Sequence, residues 1–238
     1  MQTASLGERA AIAHIPYFIM PNYCSNTLSF SNITEDQWLE ISATFRGNET
    51  KECSFLSTFC PEPNWNLIPN QNGELPRTHD VHGFGCWADG KQDDRSYYWR
   101  YDHWGTNWDV FDCRTEFAEE TPGTELVVDF YTANSPLCEE CMQQISRHFP
   151  GAMLINRYNE EDGDYCGVTV AKDGNSLEYY SELIPIREQF VRKLNPCLPF
   201  NADFSQVYEE QELWDGFKDF LREGLVTTAK NLVRQISA

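Results

Sequence analysis

Residues 125–131 (ELVVDFY) alternate strictly, with Leu126, Val128 and Phe130 on one side and Val127, Asp129 and Tyr131 on the other. A period of two marks a half-buried strand, which must find partners in a sheet. A helix start follows it: Ser135 as cap and Pro136 in the first turn, with a helix to about His148 stopped by Pro150-Gly151. Strand character returns over 153–158 and 165–171, around the acidic turn 159–164 (NEEDGD). A second turn, Lys172-Asp173-Gly174-Asn175, leads into a further strand over 177–183. Upstream, 26–31 (NTLSFS) also alternate. Thr34 and Gln37 then form a capping box, with Ile33 and Trp38 at the staple positions, which predicts a helix over 35–45 ended by Gly47-Asn48. Strands and helices thus share one chain segment.

Three stretches stand apart from that pattern. Residues 1–19 have weak periodicity and read as an N-terminal extension. Residues 47–95 carry Pro61, Pro63, Pro69, Pro76 and several glycines, so they read as a long irregular insertion with Trp65 and Trp87 as anchors. From 185 to 238 the spacing turns helical: Ile186, Phe190, Val191 and Leu194, broken by Pro196 and Pro199. A second helix capped by Asp203 follows, and Val226, Ala229, Val233 and Ile236 continue after Gly224. This C-terminal helical extension would dock on the sheet domain or serve as an arm for homo-oligomers.

The chain carries 37 acidic against 18 basic side chains, a formal charge of −19. Such a field repels phosphates and argues against direct binding of nucleic acid. No apolar run reaches the length of a membrane helix, so no membrane span is expected. The N-terminal residues lack a basic segment followed by an unbroken apolar one, so no signal peptide is expected either. The nine cysteines are irregularly spaced and odd in number, which fits reduced thiols in the cytoplasm of a host cell. Cys138-x-x-Cys141 is half of a zinc site with no second half in the sequence; Leu137, Cys141 and Ile145 fit a helix core instead.

Several motifs recur together. Met20-Pro21-Asn22-Tyr23-Cys24-Ser25-Asn26, Leu67-Ile68-Pro69, Trp104-Gly105-Thr106-Asn107-Trp108-Asp109, Ser135-Pro136, Phe149-Pro150 and Tyr158-Asn159-Glu160 occur in that order. In this the chain resembles a phage and plasmid family, the YubB-type ferredoxin-like proteins, over roughly residues 20–176. Asn107 stands where that family usually has Lys. The resemblance implies an α+β ferredoxin-like fold: an antiparallel sheet with helices on one face, here spanning 20–184 with the insertion at 47–95. The fold name describes topology only: the sequence has no cluster-binding cysteine run, so no iron–sulfur cluster is expected. No cofactor or metal is expected.

The function follows from charge and from what is missing. No nucleophile elbow, metalloprotease motif or phosphate-binding glycine loop occurs. With the phage and plasmid setting that the resemblance implies, the expectation is a non-catalytic acidic protein of a phage or mobile element. It would bind and inhibit a basic, nucleic-acid-directed host defence protein, mimicking the charge of nucleic acid. The candidate partner-binding residues are Glu119, Glu120, Glu139, Glu140, Glu160, Glu161, Asp162 and Asp164, with Trp104 and Trp108, and Tyr101 beside them, as aromatic anchors. The bland account of the two tryptophans is a packed loop beside a Gly105 turn. The alternatives are a metal-dependent enzyme using His79, His82 and His103 with Asp80, Asp102 and Asp109, or an oligomeric structural protein.

Overall fold

The computed structural model describes residues 22–45, 53–79, 85–115, 123–160, 165–194 and 211–237. The first strand, β1 (Tyr23–Ser31), buries every second side chain, among them Leu28 and Phe30. Helix α1 (Glu35–Phe45) opens with the expected capping box: the Thr34 N–H donates to Gln37 Oε1 at 2.9 Å and the Gln37 N–H to Thr34 Oγ1 at 3.2 Å. Ile33 and Trp38 are both buried beside it.

The insertion is more ordered than its prolines and glycines predict. It holds the short helix α2 (Phe55–Phe59), a 3₁₀ turn (Trp65–Leu67) and a two-residue ribbon of β2 (Thr78–His79) and β3 (Gly85–Cys86). Next comes α3 (Arg95–Trp104), a helix that the sequence pattern does not announce. The sheet resumes with β4 (Phe111–Thr115), β5 (Glu125–Ala133), helix α4 (Glu139–His148), β6 (Met153–Glu160), β7 (Tyr165–Lys172) and β8 (Asn175–Glu182). Helices α5 (Leu183–Leu194) and α6 (Gln211–Ile236) complete the described chain.

Six strands form one sheet in the order β4-β5-β1-β6-β7-β8, and every neighbouring pair is antiparallel. The connection from β1 to β4 passes around β5, and α4 carries β5 to β6 around β1. These two interleaved strand–helix–strand crossovers are the ferredoxin-like arrangement, extended on one edge by the β7–β8 hairpin. The register follows the alternation: Leu28 lies opposite Val128, and Phe30 opposite Leu126 and Leu154.

One face of the sheet packs Leu28, Phe30, Val128, Phe130 and Leu154 against Ile41, Phe45, Cys141, Ile145 and Phe149. Each large apolar side chain buried there contributes about 1.5–3 kcal/mol. The same face holds a polar row: Asn156 Nδ2 donates to Asn26 Oδ1 at 3.0 Å, and Asn26 Nδ2 to Thr132 Oγ1 at 2.9 Å. That row ties β6, β1 and β5 in register. The opposite face packs Met153, Val168 and Val170 under Phe190, Phe217, Leu221 and Leu225. The C-terminal helices therefore lie across the sheet from α1–α4.

Several boundaries differ from expectation. α4 starts at Glu139 rather than at Ser135, because Cys138 takes the cap position and its Sγ accepts the Cys141 N–H at 3.5 Å. α6 runs unbroken through Gly216 and Gly224, since burial of Phe217, Leu221, Leu225 and Ala229 outweighs the poor helix propensity of two glycines. The proposed extension 1–19, the Gly47-Asn48 stop, the breaks at Pro196 and Pro199 and the Asp203 cap lie outside the described residues.

Candidate functional site

The aromatic run 96–112 divides by direction, and α3 is the device that divides it. The inward side of the helix is anchored three times. Arg95 lies between the rings of Trp65 and Trp87, 5.2 and 4.9 Å from their centroids, and donates to both carboxylate oxygens of Asp93. Arg100 pairs with Glu62, which also accepts from Ser96 Oγ at 2.7 Å. Burial works against the Glu62 carboxylate, but hydrogen bonds from Arg100 and Ser96 outweigh it and hold the group below its ordinary range. Trp104 is 1% exposed and donates Nε1–H to the Cys60 carbonyl at 2.7 Å.

The helix ends at Gly105, whose φ of 83° is left-handed and whose N–H donates to the Tyr101 carbonyl. An added Cβ there would lie 2.4 Å from the Pro136 carbonyl oxygen, so only glycine lets the loop meet the entry to α4. Thr106 Oγ1 bonds both the carbonyl and the N–H of Ala133. Asp109 accepts from Leu56, Ser57 and Val110. Trp104-Gly105-Thr106-Asn107-Trp108-Asp109 is thus chiefly a structural joint.

This placement corrects two candidates. Trp104 cannot anchor a partner at a surface, because its ring belongs to the core and its N–H is committed to Cys60. Glu160 is only 2% exposed, since the alternation of β6 turns it inward. Trp108 is 45% exposed and stays a surface aromatic. Glu139 and Glu140 are exposed in the first turn of α4, where carboxylates also favour the helix dipole. Glu139 accepts from Ser176 Oγ at 3.2 Å, and Glu140 lies 3.9 Å from His103. Glu119, Glu120, Glu161, Asp162 and Asp164 lie outside the described residues.

Of the outward side of α3 the sequence reading reaches Tyr101 alone. Asp94, Tyr97, Tyr98, Tyr101 and Asp102 are all exposed and follow the spacing i, i+3, i+4, i+7, i+8 of one helical face. Tyr97 is 51%, Tyr98 60% and Tyr101 50% exposed, with the rings of Tyr97 and Tyr98 edge to face at 5.5 Å. Three open rings bracketed by two carboxylates make a surface that can receive guanidinium or ammonium groups, the rings by cation–π contact and the acids by ion pairing. α3 packs beside α4, whose Glu139 and Glu140 enlarge the acidic border.

The histidines do not converge. His79 is exposed and its Nε2 lies 3.1 Å from Asn66 Oδ1, whereas His103 stacks on Trp99 at 4.4 Å with Nδ1 at the Trp99 carbonyl. His82 and Asp80 lie outside the described residues. Among the described residues no group of three or more His, Cys, Asp or Glu side chains is arranged to hold a metal. No described helix is long and apolar enough to cross a membrane.

No curated protein matches the chain. The crystal structure of a protein Api92 from Yersinia pseudotuberculosis is similar over 67% of this chain and 98% of its own length, at 11% identity and a TM-score of 0.36. Residues 107–189, from the joint after α3 to the middle of α5, match the family model described as the ferredoxin-like domain in Api92-like protein, a description that names a fold and no reaction.

Proposed function

We propose that this is a non-catalytic acidic module of a phage or mobile element that binds a basic, nucleic-acid-directed host defence protein and blocks it. The single observation that carries the reading is the Asp94–Tyr97–Tyr98–Tyr101–Asp102 face of α3, exposed in a chain of net charge −19. A groove built to bind phosphates and bases presents Arg and Lys beside flat apolar surfaces. Carboxylates spaced among aromatic rings answer both features, and the negative field speeds encounter. Glu139 and Glu140 extend the same border, and Trp108 is a further exposed ring. The resemblance to phage and plasmid proteins supports the biological setting.

Affinity capture from a bacterial lysate at about 0.15 M salt tests this. The unaltered chain is expected to retain a basic nucleic-acid-binding protein. A variant with Tyr97→Ala, Tyr98→Ala and Tyr101→Ala should lose it, and single-stranded DNA should compete for it. Retention unchanged in the triple variant, or capture of acidic proteins only, would refute the proposal.

A further inference from the structure

The face of the sheet opposite α1–α4 contains a cleft of about 420 Å³ between the last turns of α6 and strands β1 and β6. Its floor is apolar, with Ile155, Val226 and Val233 all half-buried. Its rim carries three cations, Arg157 from β6 and Lys230 and Arg234 from α6. That grouping is unexpected in a chain with twice as many acidic as basic side chains. Among the described residues none of the three belongs to an ion pair, whereas Arg222, two turns earlier on α6, pairs with Asp219. The carboxylate that acts on Arg157 from across the sheet, Asp129, accepts from Thr27 Oγ1 at 2.6 Å. Thr27 stands between Asp129 and Arg157 in the register.

Favourable interaction with a helix C-terminus accounts for Arg234 alone. It does not account for Arg157, a strand residue whose guanidinium is pushed down from its ordinary value by burial and by Arg222, against the opposing pull of Asp129. One half-buried cation, Arg157, and two exposed ones, Lys230 and Arg234, around an apolar floor match a ligand with an acid head and a hydrocarbon body. The volume falls within the range of small-molecule pockets, roughly 300–1,000 Å³. We infer that this cleft binds a single-chain amphipathic carboxylate, its tail on Ile155, Val226 and Val233 and its head held by Arg157, Lys230 and Arg234.

Calorimetric titration of the full chain with decanoate, below its micellar concentration, tests the inference against decanol, acetate and anionic phospholipid vesicles. Decanoate should bind one to one and about tenfold more tightly than decanol, the factor expected of one charged hydrogen bond. Acetate should show no binding. Arg157→Gln should abolish the preference for decanoate while leaving decanol unchanged. The double variant Lys230→Gln/Arg234→Gln, on an exposed helix surface, should do the same without touching the sheet. Equal affinity for decanoate and decanol, no decanoate binding, unchanged affinity in both variants, or binding to vesicles only would each overturn it. The cleft and the α3 face are separate surfaces, so either can fail without the other.

Discussion

Asp109 accepts the backbone N–H groups of Leu56 and Ser57, each at 2.9 Å, and so caps a helix that begins more than fifty residues earlier in the chain. The cap position of α2 itself, Ser54, makes no side-chain cap bond, and Asp109 takes over that role from outside. The contact fixes the insertion to the joint that leads into β4. Removing it with Asp109→Ala takes the acceptor from the N–H groups of Leu56, Ser57 and Val110 and from the Ser57 hydroxyl, and should cost about 2–3 kcal/mol in chemical denaturation.

The same carboxylate has a pH signature. Burial raises the Asp109 pKa above the ordinary 3.8, and the hydrogen bonds from Ser57 and Leu56 only partly oppose it. A carboxyl raised in the fold favours the native state at acid pH, below its unfolded value, and that contribution is lost as pH rises through the folded value. The stability of the unaltered chain minus that of Asp109→Asn should therefore be larger at about pH 3 than at about pH 7. Most other groups cancel in the difference. A difference that grows with pH would mean that the hydrogen bonds, not burial, dominate at this site.

Gly105→Ala should be among the costliest single changes. It asks a Cβ to share space with the Pro136 carbonyl and the Cys138 N–H, at 2.4 and 2.6 Å, on a left-handed backbone. Both atoms are backbone, so no side chain can swing away. A loss of about 3 kcal/mol or more is expected, with a fall in Tm of roughly 6–12 °C for a chain of this size. A melting curve within a degree or two of the unaltered protein would show that the joint can shift.

Two thiol pairs differ in what oxidation should do to them. Cys53 and Cys113 Sγ atoms lie 2.8 Å apart in a half-buried position, while Cys60 and Cys141 lie 3.4 Å apart in the core. The two Sγ atoms are within hydrogen-bond distance, so whichever of Cys53 and Cys113 loses its proton first is held as a thiolate by the other's S–H and is placed to attack. Diamide should join them: the two thiols lose two protons and two electrons, which reduce diamide to its hydrazine. Peptide mapping is expected to find a Cys53–Cys113 crosslink in the folded protein and a Cys60–Cys141 crosslink only after denaturation. A crosslink between the core pair under native conditions would reverse that ranking.

Legibility in the sequence tracked how local each signal was. The capping box at Thr34 and Gln37, the alternation over 125–131 and the strands around the 159–164 turn depend on residues within one turn or pleat of each other, and the structure realises them. α3 was hidden because both of its sides are aromatic: Trp99 and Trp104 inside, Tyr97, Tyr98 and Tyr101 outside. A periodicity test on hydrophobicity sees no stripe there. Asp94 and Gly105 at its ends were the usable signal. The role of Asp109 was invisible for another reason, since its partners are fifty residues distant and only the fold brings them together. Trp104 and Trp108 look equivalent in sequence, yet one is core and the other surface, a difference set by the Gly105 turn between them.

That division within one aromatic run yields a last prediction. Trp104→Ala empties a fully buried site and strands the Cys60 carbonyl, so it should cost about 3–5 kcal/mol. The triple change Tyr97→Ala, Tyr98→Ala and Tyr101→Ala removes more ring surface in total but takes it from water. Alanine is also the better helix former, by about 0.5 kcal/mol per residue. The triple variant should therefore melt at or slightly above the temperature of the unaltered chain, while Trp104→Ala melts far below it. If the tyrosine variant instead loses several kcal/mol, the outward face of α3 is packed against part of the chain outside the described residues, and the proposed partner surface is already occupied.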